Sequence, residues 1–230
     1  MDGSGSSRND TQANRLASLP LLPMPKKPQL RQAIADGHDP ARAESYDLLR
    51  TRILSEVAER SWTRIGITQA HAGPAAPLTA LNLALSESRR HRRRVALVDL
   101  DVARQPVLKQ LDAPRPKPQD TPRFGAVRLS DRLALVAVAA HPAEAATMLL
   151  NDDFASDLTT ELSLLAPDVV LMHLPPILDG DAGLAALPLV ECVLLAVNGR
   201  ADIAADLRSC EARITRTCPI LGLFLHDAEV

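Results

Sequence analysis

The 230-residue sequence has no excess of positive charge, no long apolar run and no cysteine pair at ligand spacing. Lys and Arg number 26 against 28 Asp and Glu, a formal net charge of −2, so no global basic field draws nucleic acid to it. No apolar stretch reaches the ~18 residues of a membrane span, and the N-terminus has no h-region, which makes the cytoplasm the expected compartment. Cys192, Cys210 and Cys218 form no CxxC motif. An odd count without ligand spacing argues against a disulfide framework and a zinc site, and predicts buried thiols.

What is present is an ordinary globular balance, 46% hydrophobic and 23% charged, in a chain long enough for one large domain or two small ones. Residues 1–28 read as a disordered arm, because "MDGSGSSRND" is polar and "LPLLPMPKKP" is punctuated by proline. The apolar Leu19, Leu21, Leu22 and Met24 leave a short partner-docking segment as the alternative to a linker. Residues 29–230 read as a single domain. In "ESYDLLRTRILSEVAER", Tyr46, Leu49, Ile53 and Val57 recur at helical spacing. Apolar runs then alternate with helical stretches: "RIGIT", "VALVDLD", "LALVAVA", "DVVLMHL", "CVLLAV" and "ILGLFL", with helices predicted near 77–90, 151–165 and 201–216. Near-continuous Val/Leu/Ile strands separated by helices predict an α/β fold, a doubly wound and mostly parallel sheet covered on both faces. The stretch from "APRPKPQDTP" to about residue 130 reads as an irregular surface loop.

In such sheets, ligands bind beyond the C-terminal strand ends, so residues 69–77 occupy the expected phosphate position. A working loop there needs inward N–H groups, glycines for the turn, and a Lys followed by Ser/Thr. "AHAGPAAPLT" departs from all three. Pro74 and Pro77 have no N–H, and proline restricts Gly73 and Ala76 before it. Ala75 carries a Cβ that makes a left-handed turn cost ~1–2 kcal/mol. Pro77 suits the first turn of a helix. Asp99 and Asp101 end the second strand, where paired carboxylates suit Mg²⁺ or a hydroxyl; capping the next helix and pairing with Arg104 is the alternative. His173 ends the strand "VVLMHLPP", where an imidazole suits Mg²⁺ poorly and packing is the plain role.

These segments together resemble the bacterial tyrosine kinases of polysaccharide export (BY-kinases, CpsD/CapB-like), within the MinD/ParA branch of P-loop ATPases. The resemblance covers about residues 42–227. "ESYDLLRTRI" is similar to the family's E-x-x-R-x-x-R helix, which implies subunit packing through Glu44 and Arg50, with Asp47 where an Arg is usual. In "RIGITQAHAGPAAPLTALNLALS", Gly73 matches a glycine of the Walker A loop and Ala75 replaces another. Ala76 falls at the lysine, Pro77 at the Ser/Thr, and Thr79 matches a following Thr. "VALVDLDVARQPVLKQL" resembles Walker A′, carrying Asp99, Asp101, Arg104 and Pro106. "PAEAATMLLNDDF" is similar to the segment before the next helix. "DVVLMHLPPILDGDA" resembles Walker B, with His173 at the aspartate and the proline pair and Asp181 kept.

The resemblance implies a P-loop NTPase-like domain from which the groups that orient phosphoryl oxygens have been replaced. It also implies loss of the tyrosine cluster, since "FLHDAEV" has none and the one tyrosine, Tyr46, sits at a packed helical position. The expectation is a non-catalytic, kinase-like protein peripheral to the inner membrane. It would serve exopolysaccharide synthesis and export through a membrane polysaccharide co-polymerase (Wzz-like), with self-association open. No cofactor, metal or nucleic acid is expected. The alternative is a weak ATPase or kinase that uses ATP and Mg²⁺ through Asp99 and Asp101, with a cation from Lys109, from the run 89–94 or from a neighbouring subunit. A MinD/ParA-type regulator of membrane or DNA is a third reading, disfavoured by the lack of a C-terminal amphipathic helix and of positive charge.

Overall fold

The apolar runs form the strands β1 (Arg64–Thr68), β2 (Val95–Asp99), β4 (Leu133–Val138), β5 (Val169–His173) and β6 (Cys192–Asn198) of a computed structural model that describes residues 15–35, 39–117 and 123–226. All five are buried along nearly their whole length, so they read as continuous rather than alternating apolar segments. With β3 (Phe124–Ser130) and β7 (Ile220–His226) they make one sheet in the order β3-β4-β2-β5-β1-β6-β7. Every pairing is parallel except the hairpin β3–β4.

Helices cover both faces, as expected. One face carries α2 (Pro40–Glu59), α3 (Ala75–Ser88) and the short α4 (Pro106–Gln110), packed on Ile65, Ile67, Leu97 and Leu171. The other carries α5 (Ala145–Leu149), α6 (Asp152–Leu165), α7 (Ala182–Ala186) and α8 (Ala204–Ile214), packed on Val98, Val136, Met172 and Leu195. Asp39 caps α2 by accepting from the Arg42 N–H at 3.1 Å, and Pro40 occupies its first turn, so this helix starts before Glu44. Every residue of α3 is buried, which places the helix that follows the loop at the centre of its layer.

Two stretches differ from the sequence reading. Residues 124–130, expected to be irregular, form the edge strand β3; Gly125 and Arg128 break its apolar pattern, and hairpin pairing with β4 supplies the order instead. Residues 15–28, expected to belong to a disordered arm, wrap the β3 edge. Leu16 and Leu19 are buried on one side of the sheet, while Leu22 and Met24 pack on the other. The Leu22 N–H donates to the Arg128 carbonyl at 2.9 Å, and the Arg128 N–H donates to Pro20 at 2.9 Å. After a helical turn at 15–18, proline prevents further regular structure up to residue 27, but isolated apolar side chains still anchor the strap. The helix α1 (Pro28–Gln32) follows, and the Asn82 side chain then holds Ala33 and Ala35 from within α3. Residues 1–14 of the expected arm lie outside the described residues.

Candidate functional site

The loop between β1 and α3 is closed by its own glutamine. Gln69 is the first residue after β1 and is almost wholly buried. Its side-chain oxygen accepts the Ala76 N–H at 2.8 Å, and its side-chain nitrogen donates to the Gly73 carbonyl at 2.8 Å. The amide at the lysine-equivalent position, an open donor for phosphate in a working loop, is therefore occupied from inside the chain. None of residues 69–76 has a positive φ, so the alternation of right- and left-handed residues that builds an anion nest is missing. Gly73 itself needs no glycine conformation, and a Cβ there would meet nothing closer than 3.7 Å. Ala75, Ala76 and Pro77 form the buried first turn of α3, where Pro77 lacks only an N–H that has no helical partner. Thr79 lies deeper in α3, fully buried, and its hydroxyl makes no hydrogen bond. Gln69 was missed in the sequence because a glutamine at a strand end carries no motif; its partners seven and four residues on become visible only when the loop folds back.

The carboxylates of β2 also point inward. Asp99 and His173 are directly opposite in the β2–β5 register, so their side chains share a face. His173 Nδ1 lies 2.9 Å from Asp99 Oδ1, and both residues are buried. Asp99 further accepts from the N–H of Asp101 at 3.2 Å and from the N–H of Val107, at the start of α4, at 3.0 Å. Asp101 is also buried but belongs to the following turn, where it accepts from the Arg104 N–H at 3.1 Å and pairs with the Arg104 guanidinium at 3.4 Å. Burial pushes the Asp101 carboxyl above the ordinary value, against the opposing pull of His173 and Arg104. The capping and ion-pair roles open to these carboxylates are thus occupied, with His173 in the place of a metal-orienting aspartate.

A second ionic cluster closes the mouth of the loop. Asp179, from the loop after β5, accepts the Ala72 N–H at 2.7 Å and lies 2.8 Å from His71 Nδ1. The other nitrogen of His71 is 3.5 Å from Asp206 of α8, and Arg104 is 3.5 Å from Asp179. The hydrogen bond to Asp179 holds the His71 imidazole above its usual pKa. A carboxylate thus takes a loop amide that would otherwise face an anion. His71, Asp179 and Asp206 were not singled out in the sequence, since His71 lies more than a hundred residues from both carboxylates and the three match no spacing rule. Asp181, kept from the motif, is exposed at the start of α7 and bonds there only through its carbonyl, to the Ala185 N–H.

The remaining sequence candidates are dispersed. Glu44 is exposed on α2. Arg50 turns inward instead of outward: it bonds Asp47, Ser86 and the Ser86 carbonyl and lies 3.6 Å from Glu87. Asp47 also accepts from Ser86 and Arg89. Burial works upward on the Asp47 carboxyl, but the Ser86 hydroxyl, Arg89 and Arg50 together outweigh it and hold it below its usual range. Tyr46 is buried, its ring 5.4 Å from Phe224. Both rings line a groove of about 640 Å³ that touches the loop only at Pro74 and is otherwise walled by Gln32 and Ala33 at the end of α1, by α2 and its cap Asp39, by Leu78 and by the end of β7. Lys109 is exposed on α4. The run 89–94 leads into the N-terminal end of β2, a strand of five residues and ~17 Å away from the loop, so it cannot supply the missing cation within this chain. All three cysteines are free and buried; burial pushes Cys192 up to about 12 and Cys210 and Cys218 up to about 11.

No family model and no curated protein matches the chain. Solved structures do match. The chimerical protein CapA2B2 superposes with a TM-score of 0.74 at 18% identity, over 97% of this chain and 100% of that one. The kinase domain of the Escherichia coli tyrosine kinase ETK gives 0.71 at 16% identity, covering 94% and 95% of the two chains. The VpsO kinase domain gives 0.68 at 16% identity, over 82% of this chain and 97% of that one. At these identities the likeness is one of fold. The chain has the α/β fold of bacterial tyrosine kinase domains, as the ordered motifs implied.

Proposed function

We propose that this is a non-catalytic, tyrosine-kinase-like protein that supports assembly or regulation of exopolysaccharide synthesis and export. It would act at the cytoplasmic face of the inner membrane by docking on a polysaccharide co-polymerase. One observation carries the reading: the Gln69 side chain fills the loop and holds the Ala76 N–H, where a phosphate oxygen would have to sit. The residues present do not fit a Mg²⁺–triphosphate. No lysine or Ser/Thr stands at 76 or 77, Asp179 takes the Ala72 amide, and Asp99 is committed to His173 and two backbone donors. Removing one such electrostatic group commonly costs ~3–4 kcal/mol of transition-state stabilisation, and here several are replaced together. The retained fold supports a scaffold role, because surfaces for a partner persist when the phosphate groups do not.

Two measurements test this. Calorimetry with Mg·ATP should give no binding in the micromolar range; micromolar binding that Asp101→Ala abolishes would favour a weak ATPase or kinase. Capture of a co-polymerase encoded beside this protein should succeed without nucleotide. A complex that forms only with ATP contradicts the scaffold reading.

A further inference from the structure

The sheet end opposite the loop gathers arginines whose nearby carboxylates are already engaged. As α3 leaves the core, Arg89 is tied to Asp47 and the Ala35 carbonyl, and Arg93 lies 3.8 Å from Glu87. Arg90 and Arg92 are exposed, and no described carboxylate lies within ion-pair distance of the Arg90, Arg92 or Arg94 side chain. The strand starts continue this row. The Val95 N–H donates to the Arg132 carbonyl at 2.8 Å, the Asp168 N–H to Arg94 at 2.8 Å, and the Val170 N–H to Thr63 at 2.8 Å. Arg132, Arg94 and the Trp62–Arg64 segment therefore follow one another along the edge at strand spacing, about 5 Å per strand.

The acids on this edge keep their own charge and offset part of the row, leaving the exposed Arg90 and Arg92 without a described carboxylate partner. Asp168 accepts the Arg94 N–H at 2.7 Å, and Glu191 accepts the N–H groups of Thr63 and Arg64 at 2.6 and 2.8 Å. Asp131 pairs with Arg128, and Glu56 with Arg60. Trp62 is partly exposed, with the Arg60 guanidinium 4.9 Å above its ring. The loop end carries Asp99, Asp101, Asp179, Asp181 and Asp206 together with Arg104 and His71, and so presents no comparable row of unpaired arginines.

We propose that this edge docks on anionic lipid headgroups of a bilayer. A flat anionic surface can meet the whole arginine edge at once, while the net charge of −2 gives no global field for a nucleic acid. An indole beside guanidinium groups also suits the headgroup level. The proposal goes beyond the scaffold reading and requires neither nucleotide nor co-polymerase.

The test is sedimentation of the full chain with phosphatidylcholine vesicles, with and without phosphatidylglycerol, at low salt. Binding is expected only with the anionic lipid, together with a blue shift of Trp62 emission. The double variant Arg90→Glu, Arg92→Glu alters two exposed side chains, and circular dichroism checks its fold. At roughly fivefold per charge, it should weaken binding by at least about 25-fold. Equal sedimentation with both vesicle types or with neither, unchanged binding of the variant, or sedimentation without a Trp62 shift overturns the proposal. Tighter association with duplex DNA than with vesicles at equal phosphate overturns the choice of lipid.

Discussion

The β1–α3 and β2–α4 junctions lie at the same end of one sheet but differ from a phosphate-binding pattern in different ways. The first differs in its residues: alanine and proline stand where a phosphate loop has lysine and hydroxyl, and Gln69 fills the space. The second has the carboxylates Asp99 and Asp101 but different partners for them, with His173 opposite Asp99 and Arg104 beside Asp101. A carboxylate pair at a strand end therefore carries no fixed meaning. Its role is set by what stands across the sheet.

That comparison can be broken most sharply at Asp99. If the carboxylate is structural, Asp99→Ala leaves His173 and two backbone donors without their acceptor, and urea unfolding should show a loss of about 3–5 kcal/mol. Unchanged or higher stability would instead mark Asp99 as a group kept for a ligand. Gln69→Ala should cost less, about 1–3 kcal/mol, because it strands the buried Ala76 N–H, and amide exchange at Ala76 should accelerate. Restoring the motif residues alone, as Ala76→Lys with Pro77→Thr, should leave Mg·ATP affinity below calorimetric detection while Gln69 remains. Micromolar binding by that double variant would show that the glutamine is no barrier.

The smallest effect concerns pH. His71 has its pKa raised by Asp179, so the contribution of this contact is complete below the ordinary imidazole value, about 6.5. It fades as pH rises through the folded-state value. Ring titration by NMR should place His71 above that ordinary value, and Asp179→Asn should bring it back toward it.

The alternation of apolar runs with helical stretches revealed the parallel sheet, since a strand buried on both faces must be apolar at every position. The helices over 75–88 and 152–165 were expected near 77–90 and 151–165, as the stretches between those runs. The strap over 15–28 was not, because four apolar residues among prolines have no period, and their burial depends on an edge more than a hundred residues away. Asp47 shows the same gap: as an odd substitution in a helix motif it gave no sign of the Arg50, Ser86 and Arg89 contacts it collects.

From the linear chain came the absence of lysine and hydroxyl at 76 and 77, the prolines without donors, and the layered α/β architecture. These are local facts of residue type and period, and no packing alters them. Folding settled the rest: which groups occupy the donors and acceptors at the strand ends. Hydrogen-bond partners are chosen by distance in space, and Gln69 with Ala76, Asp99 with His173 and Asp179 with His71 meet only after the sheet has aligned its strand ends.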